Sequence, residues 1–571
     1  MKFNRSRLGA CVVAALFGLP AAAIADDIAF IHGHVYTANV RQPWATAVAV
    51  EDERIVAVGT DAQIAKHRRR ATRTIDLHGA TVIPGIVDSH LHLLYGAFAL
   101  HGLNLSTPES SITPEQPELF VARLRAYADA HPHDRVLFAR ADFSTVPPTT
   151  PSALLLDRAT TARPWVVHNT SEHALWLNSA ALVLAGIGDR PIANAEQERG
   201  VIRDARGRPT GVLLEAAMQL AVPITAQVPV DEQLEMVRLA TRFLNSFGIT
   251  SVVNATGDLA ELRLYAALRD RGELTVRTRT AFGAVAVAHR STPQFLAELD
   301  AARRQYHDDW VAANLVKFFA DGGTGLVPPL VYDAAEYEQL IMDLDQRGYQ
   351  IMTHALRADS VTMILDAYQR LERAHGRRDR RLRIEHADLI DAADLPRFAQ
   401  LEVIADMQPT FCCAETGANF DPANAVPSDR WQSLEHTGAT LAFSSDWPCT
   451  WPPDPLVGIR QAATRQIWRS KDTANIPGGP LDGAAQGGSL PTGESYVPDE
   501  RITVQDAVRA YTAGSAYAAF ANDRVGTLER GKLADLAVLS KDIFSGEPTA
   551  VTAAHVTMTM VGGKIVYQAT D

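Results

Sequence analysis

The chain has 571 residues, of which 47% are hydrophobic and 21% charged, and its formal net charge is −12 at neutral pH. A chain of this length and composition can bury a large core, and it predicts one big domain with a smaller one, or two to three domains. The acidic balance argues against nucleic acid or an anionic membrane surface as the partner.

The N-terminus predicts an export signal. Three basic residues precede the apolar run 11–20, and Ala23-Ile-Ala25 offers a small-residue cleavage site. The apolar run is too short to cross a membrane with ordinary flanks, and no later segment is long and apolar enough. We therefore expect residues 1–25 to be removed and the mature chain to be periplasmic. Losing three positive charges would take the net charge from −12 to −15.

Three cysteines would survive cleavage: Cys412, Cys413 and Cys449. Three thiols do not make a disulfide framework, even in an oxidising compartment. The adjacent pair is expected to serve as buried packing and not as redox chemistry.

Both ends of the chain predict β-structure. Short apolar strands separated by polar turns fill residues 28–83, and similar strands return near the C-terminus. The two ends, residues 26–83 and 525–571, are expected to form one small β domain. The region 471–499, rich in Gly and Pro, is expected to be a long irregular loop.

The middle of the chain, residues 84–524, alternates apolar strands with helical stretches, as in a parallel α/β barrel. The candidate strands are 81–90, 135–143, 163–169, 248–255, 275–283, 313–320, 348–354, 381–386, 402–408 and 439–445. A closed barrel needs eight strands, and this set has ten. We assign 135–143 and 163–169 to an insertion at about 100–245, after the first barrel strand.

A pair of histidines, His90 and His92, ends the first barrel strand. Alternate residues of a strand point to the same side, so both imidazoles can reach one metal ion. A His-x-His pair alone means little, because His32-Gly-His34 has the same form near the N-terminus. The later pair differs from it because further residues of metal-binding type stand at the ends of later strands.

Four such residues belong to later barrel strands. Lys317 lies in strand 313–320, and three further strands end in His354, His386 and Asp446. The carboxyl ends of barrel strands meet on one face, so these side chains are expected to converge there. Four histidines and an aspartate suit a divalent ion such as zinc. Each residue alone has an ordinary structural explanation, whereas the set in this order indicates a site.

These residues occur within motifs that resemble the metal-dependent amidohydrolase superfamily, in particular the amidohydrolase-3 branch with the YtcJ-like proteins. The resemblance covers nearly the whole mature chain. Its motifs are Pro84-Gly-Ile-Val-Asp-Ser-His-Leu-His92, Asn178-Ser-Ala-Ala-Leu182 with Ala185-Gly-Ile187, Thr210-Gly-Val-Leu-Leu-Glu215, Gly248-Ile-Thr-Ser-Val252, Val316-Lys-Phe-Phe-Ala-Asp-Gly322, Arg383-Ile-Glu-His-Ala387, Gln408-Pro409, Ser445-Asp446 and Gly526-Thr-Leu-Glu-Arg-Gly-Lys-Leu-Ala-Asp-Leu536.

The resemblance implies a (β/α)8 TIM-like barrel joined to a β-sandwich made by both termini. It also implies roles for six residues: His90 and His92 as ligands of one zinc, His354 and His386 as ligands of a second, carboxylated Lys317 as the bridge, and Asp446 as ligand and general base. Metal coordination lowers the pKa of water to about 7 in well-studied zinc sites, so hydroxide would be available at neutral pH.

Some positions remain open between a functional and a structural role. By the resemblance, His173 would stabilise the carbonyl oxyanion; the alternative is that His173 makes a structural hydrogen bond. Glu215 is either an orienting residue or a helix-start carboxylate. Arg357 and Ala358 replace a small residue and an acid of the relatives, which alters substrate charge preference or only the start of a helix. Cys449 is either a soft metal ligand or a residue that packs in the interior, and we favour packing.

The resulting expectation is a hydrolase that cleaves a carbon–nitrogen bond other than a peptide bond, in a small-molecule amide, N-acyl amine or formamide. Lys317 favours this over a deaminase of the same superfamily, whose members usually lack the lysine. The other alternative is a non-catalytic binding or regulatory protein that retains the fold. The presence of Asp446 speaks against it, because a binding protein has no need of a general base. Relatives are often dimers, so a homodimer is compatible with the resemblance.

Overall fold

The structure is a computed structural model, and it describes residues 27–68, 72–107, 110–145, 149–284, 292–321, 333–412, 428–466 and 495–570. The predicted signal at 1–25, Cys413 and most of the predicted loop at 471–499 lie outside these ranges. Within them no helix is long and apolar enough to cross a membrane.

The strands of the described residues build five sheets. In order they are β1 Ile28–Ile31, β2 His34–Tyr36, β3 Trp44–Ala45, β4 Ala47–Glu51, β5 Arg54–Gly59, β6 Arg73–Asp76, β7 Thr81–Pro84, β8 Ile86–Leu91, β9 Leu103–Asn104, β10 Ser106–Thr107, β11 Ser110–Ser111, β12 Leu137–Ala141, β13 Trp165–Asn169, β14 Ala174–Leu177, β15 Val201–Arg203, β16 Pro209–Leu214, β17 Ile249–Gly257, β18 Arg277–Gly283, β19 Val311–Phe319, β20 Gln350–Ala355, β21 Arg383–His386, β22 Ile404–Met407, β23 Thr440–Phe443, β24 Leu536–Leu539, β25 Val556–Val561 and β26 Lys564–Gln568.

The helices mostly lie between barrel strands. They are α1 Asp61–Ile64, α2 Leu93–His101, α3 Pro117–Ala130, α4 Ala153–Asp157, α5 Ser179–Leu184, α6 Ala195–Gly200, α7 Val222–Thr225, α8 Val230–Asn245, α9 Leu259–Asp270, α10 Pro293–Gln305, α11 Ala334–Gln346, α12 Ala358–His375, α13 Leu395–Gln400, α14 Trp431–Thr437, α15 Pro455–Thr464, α16 Val504–Arg509 and α17 Ser515–Ala518. Short 3-10 turns occupy Glu215–Ala221, Pro409–Phe411, Pro498–Glu500 and Pro548–Ala553, and a π-helical turn spans Ala510–Gly514.

Eight parallel strands form the barrel, in the order β23-β22-β21-β20-β19-β18-β17-β8. Every residue of β8 is buried, as expected where helices cover the outer face and side chains fill the interior. The predicted fold is confirmed, and both surplus strands fall where we placed them, as β12 and β13 of a separate sheet.

The first and last barrel strands meet at their carboxyl ends. The amide of Asp446 donates to the carbonyl of His90, and the amide of His92 donates to the carbonyl of Trp447, both at 2.8 Å. The buried carboxylate of Asp88 accepts the Ser445 amide at 3.0 Å. These bonds hold the two site-bearing strand ends in register with each other.

Strands from both termini build the accompanying β structure. A six-stranded sheet in the order β26-β25-β24-β7-β2-β3 pairs C-terminal strands with N-terminal ones, and β24 is antiparallel to β7. A second sheet has the order β5-β4-β1-β6, and one buried cluster joins Phe30 with Leu536 and Met560 across the two. The segment between β8 and β17 contributes a further six-stranded sheet, in the order β15-β16-β14-β13-β12-β9.

The buried carboxyl of Glu261 belongs to a set of hydrogen bonds that joins the second barrel strand, β17, to the residues at the start of α2. Asn254 of β17 accepts the Leu93 amide at 2.9 Å and donates to Glu261 at 2.8 Å, while the Tyr265 hydroxyl donates to the same Glu261 oxygen at 2.7 Å. Burial raises the pKa of Glu261 to about 8, with a further contribution from Asp258.

This raised pKa predicts a pH dependence of stability. The folded chain keeps the Glu261 proton between about pH 4.5 and 8, where the unfolded chain has lost it, so the free energy of unfolding should fall as pH rises through that window, by up to about 1.4 kcal/mol per unit. Glu261→Gln should remove this component. Chemical denaturation of both proteins at pH 5 and pH 8 checks it, and an equal pH response in the two would contradict the assignment.

Candidate metal centre and active site

The His-x-His pair forms part of a three-residue cluster at the carboxyl end of the barrel. The Nε2 atoms of His90 and His92 lie 3.5 and 3.3 Å from Oδ1 of Asp446. Although Oδ1 is buried, it makes no hydrogen bond within the described residues. Burial alone would raise the pKa of Asp446, but His90, His92 and His386 outweigh it and hold the pKa well below its usual range.

The protonation of His90 leaves its inward nitrogen free to coordinate. Its Nδ1 lies 2.5 Å from Glu385, so that nitrogen carries the proton and Nε2 offers a lone pair. Burial and the Lys317 ammonium hold the pKa of His90 well below its usual value, which keeps the ring neutral. A buried carboxylate oxygen that faces two imidazole nitrogens is the donor set of a divalent ion, so these residues fit a metal.

A second pair of histidines lies beside the first. The ring centroids of His354 and His386 are 4.5 Å apart, and His386 is 5.0 Å from His90. His354, at the end of β20, and His386, at the end of β21, are both buried. The structure therefore brings together all four predicted histidines of the site.

Lys317 is fully buried between the two pairs, with Nζ 2.9 Å from Nε2 of His90. Burial lowers its pKa to about 8. The charges of Glu385 and Asp446 favour the ammonium form, but the cost of burying it is larger.

Each histidine has a polar partner on the side away from the centre. Besides the bond of His90 to Glu385, His92 Nδ1 lies 2.8 Å from Thr256 and His386 Nδ1 lies 2.6 Å from Gln408. His354 Nε2 lies 3.2 Å from Oδ1 of Asp321, but it makes no hydrogen bond within the described residues. Such partners fix the ring orientation and the tautomer of metal-binding histidines. Sequence reasoning gave no role to Glu385 or Thr256. The position of Glu385 beside a strand-end histidine was the only available hint.

Arg383 supports this outer layer from inside the barrel. Its buried guanidinium donates to both oxygens of Glu385, at 2.9 and 2.8 Å, and to Asp406 at 2.8 Å. The two bonds to Glu385 fix its side chain in the position where it faces His90. Replacing Arg383 would leave two buried acids without their cation, which is costly.

His173 comes from the inserted segment and reaches the second pair. Its ring centroid is 5.7 Å from that of His354, and its Nδ1 is 3.1 Å from both oxygens of Glu215. Burial lowers the pKa of His173, but Glu215 outweighs it and raises the pKa to about 9. His173 is thus an imidazolium at neutral pH, held beside the candidate metal ligands.

Left-handed backbone marks several of these positions. Asp446, His386 and Glu215 have φ values of +54°, +68° and +49°. Non-glycine residues adopt this conformation at a cost, and such positions concentrate where a site needs a particular side-chain direction.

The remaining candidates lie outside the centre. Arg357 is half-exposed, pairs with Asp359 at 2.7 Å and stands directly before α12, so the substitution there changes a helix start. Burial and Asp446 raise the pKa of the Cys449 thiol, which donates to the Ser171 carbonyl at 3.3 Å, a geometry that favours packing over coordination. His32 and His34 belong to the terminal β sheets, far from these residues.

The interpretation of Cys412 as a packing thiol is wrong in one respect. Cys412 is buried as expected, but it is disulfide-bonded. Its partner lies outside the described residues. Cys449 is free.

A barrel with histidines and an aspartate converging at the carboxyl ends of its strands is an arrangement that suits a metal-dependent enzyme. A sequence model of the amidohydrolase family matches residues 73–567, so the chain belongs to that family. The predicted relationship is confirmed.

Individual relatives match along almost the full length. The chain is 29% identical to protein LONG AFTER FAR-RED 3 of Arabidopsis thaliana, covering 96% of this chain and 93% of that protein. It is 26% identical to an N-substituted formamide deformylase of Arthrobacter pascens, covering 95% and 99%, and 28% identical to the putative amidohydrolase YtcJ of Bacillus subtilis, covering 94% and 98%. Among solved structures, an uncharacterised metal-dependent hydrolase from Pyrococcus furiosus shares the fold with a TM-score of 0.66, 23% identity and coverage of 91% and 99%.

Proposed function

We propose that this amidohydrolase cleaves a carbon–nitrogen bond other than a peptide bond in a small-molecule amide, with N-formyl and N-acyl amines as the substrate class. The observation that carries the proposal is the cluster of His90, His92 and Asp446, in which a buried carboxylate oxygen faces two imidazole nitrogens. The Arthrobacter pascens relative is an N-substituted formamide deformylase, which supports the N-formyl group as the first candidate.

Two divalent ions, zinc by preference, are proposed to occupy this face. His90, His92 and Asp446 would hold one, and His354 and His386 the other, with Lys317 carboxylated on Nζ between them. The burial of Lys317 beside His90 supports the modification, because burial lowers the pKa of the amine to about 8 and carboxylation would replace a costly buried ammonium by a ligand anion. Metal ions in such a site polarise the scissile carbonyl and lower the pKa of water.

The chain's own residues then handle protons and charge. Asp446, held ionised by the surrounding histidines, accepts a proton from the attacking water and returns it to the leaving amine. His173 donates a hydrogen bond to the carbonyl oxygen as negative charge develops there, and Glu215 keeps it protonated for that role.

The role of His173 predicts a shift in the alkaline limb of activity. With the pKa of His173 raised to about 9, kcat/KM should fall as pH rises through that value. Glu215→Gln removes the counter-charge, so burial should dominate and the fall should move to lower pH. Rate profiles from about pH 6 to 10 check this. An unmoved limb in Glu215→Gln would mean that His173 is structural.

The substrate class is tested with purified, zinc-loaded protein on a panel of N-formyl amines, N-acyl amino acids and cyclic amides, by assaying released amine. Turnover of formamides above the other groups is the expected result. Metal-loaded protein that turns over none of them would favour the non-catalytic alternative. We also propose periplasmic location for the mature chain, on the basis of its N-terminal sequence, and fractionation of the native host checks it.

A further inference from the structure

A second group of metal-binding side chains lies away from the barrel face. His101 is the last residue of α2, Asp134 precedes β12, and Glu232 stands in the first turn of α8. One imidazole nitrogen and one oxygen from each acid all lie within 4.8 Å of one another. These residues are far apart in sequence, and the tertiary structure alone brings them together.

The distance between the His101 nitrogen and the Asp134 oxygen fits two ligands of one ion better than it fits a hydrogen bond. Nε2 of His101 is buried and has no hydrogen-bond partner among the described residues, and Oδ2 of Asp134 is 3.7 Å away, beyond hydrogen-bonding distance. Two ligand atoms about 2.1 Å from one ion at a tetrahedral angle lie about 3.4 Å apart. The Tyr127 hydroxyl donates to the His101 carbonyl at 3.0 Å, which fixes the end of α2 beside the two acids.

Two carboxylates face each other here in a partly buried position. Oxygens of Asp134 and Glu232 lie within 4.8 Å of each other, with a nitrogen of His101 within the same distance of both. Like charges placed together are unfavourable unless a cation lies between them.

We propose that His101, Asp134 and Glu232 bind one divalent transition-metal ion, such as zinc, separate from the barrel centre. One imidazole with two carboxylates suits such an ion, whereas Ca²⁺ and Mg²⁺ prefer oxygen ligands alone. The ion would brace the inserted sheet: α2 leads into the inserted segment, α8 leads out of it towards β17, and Asp134 precedes a strand of its sheet.

Counting zinc in the full-length protein tests this site. The protein is stripped with chelator, reloaded with Zn²⁺ and desalted, and zinc per chain is measured by mass spectrometry. Asp134→Asn and Glu232→Gln should each hold one zinc fewer than wild type. Asp231→Asn, which removes the neighbouring acid from the same helix turn, should hold as many as wild type. An unchanged count in Glu232→Gln overturns the proposal.

A His92→Asn background separates this site from the barrel centre. Zn²⁺ should still raise the Tm of His92→Asn, and that rise should become smaller when Glu232→Gln is added, because the ligands His354 and His386 stay in place in both variants. If His92→Asn keeps all its zinc but Glu232→Gln loses one, the assignment of His92 fails and the site at His101, Asp134 and Glu232 stands. A zinc-dependent rise in Tm that is equally large in His92→Asn and in the double variant excludes the site at His101, Asp134 and Glu232 without any assay of hydrolysis.

Discussion

Replacing Asp446 by Asn is expected to lower kcat/KM by about 10³-fold on any amide that the wild-type protein hydrolyses, a size typical for loss of a general base. Asn keeps the shape of the side chain but cannot accept the proton of the attacking water. It also removes the anion that His90 and His92 face at 3.5 and 3.3 Å. The rate and the zinc content are measured together.

Asp359→Asn serves as the matched control, because Asp359 is a half-exposed acid that pairs with Arg357 at the start of α12 and belongs to neither histidine pair's set of partners. Its rate should match that of wild type. Wild-type activity in Asp446→Asn with normal zinc content would exclude Asp446 as the base and require another proton acceptor.

The second large effect is expected at Lys317. Lys317→Ala should lose one of two zinc ions and at least about 100-fold of the hydrolytic rate, because the carboxylated Lys317 side chain is the ligand proposed to join the two histidine pairs. The smaller side chain also leaves a gap in which a short carboxylate can take the place of the carboxylated amine. Added acetate or propionate should therefore restore part of the zinc and part of the rate.

Lys317→Met provides the contrast, since it fills a similar volume, cannot be carboxylated and leaves no room for acetate. It should be as inactive as Lys317→Ala and should not respond to acetate. Two tightly bound zinc ions in Lys317→Ala would show that the centre is not bridged through this residue, and a single-metal mechanism would become the better explanation.

Periodicity was sufficient to predict the barrel. All ten candidate segments contain strands, because each combines an apolar run with an adjacent polar boundary, and burial on both faces of a parallel strand produces that pattern. The segment 81–90 was predicted as one strand, but it divides into β7 of the terminal sheet and β8 of the barrel. The choice of 135–143 and 163–169 as extra strands rested on their place within a long segment, and they pair with each other as β12 and β13. The other four strands of the same sheet, β9, β14, β15 and β16, were not predicted, because segments this short show little periodicity.

The role of Arg357 could not be settled from the sequence. Arg357 replaces a residue near the predicted metal face, yet its side chain turns outward to Asp359. The direction of a side chain at a strand-to-helix junction depends on the local backbone, which the residue type does not specify. The disulfide at Cys412 was not predicted, because neither the spacing nor the number of cysteines required one.

The residue types of the centre and their order at strand ends can be taken from the sequence alone: two histidines, a lysine, two further histidines and an aspartate. Each position is recognisable from its neighbours in the chain, because it stands at the end of an apolar strand. The groups that orient these side chains are known only from the folded structure. Glu385 faces His90 across 295 positions of the chain, and Thr256 faces His92 across 164. Closure of the barrel brings such residues together, and no local pattern records which strand will lie beside which.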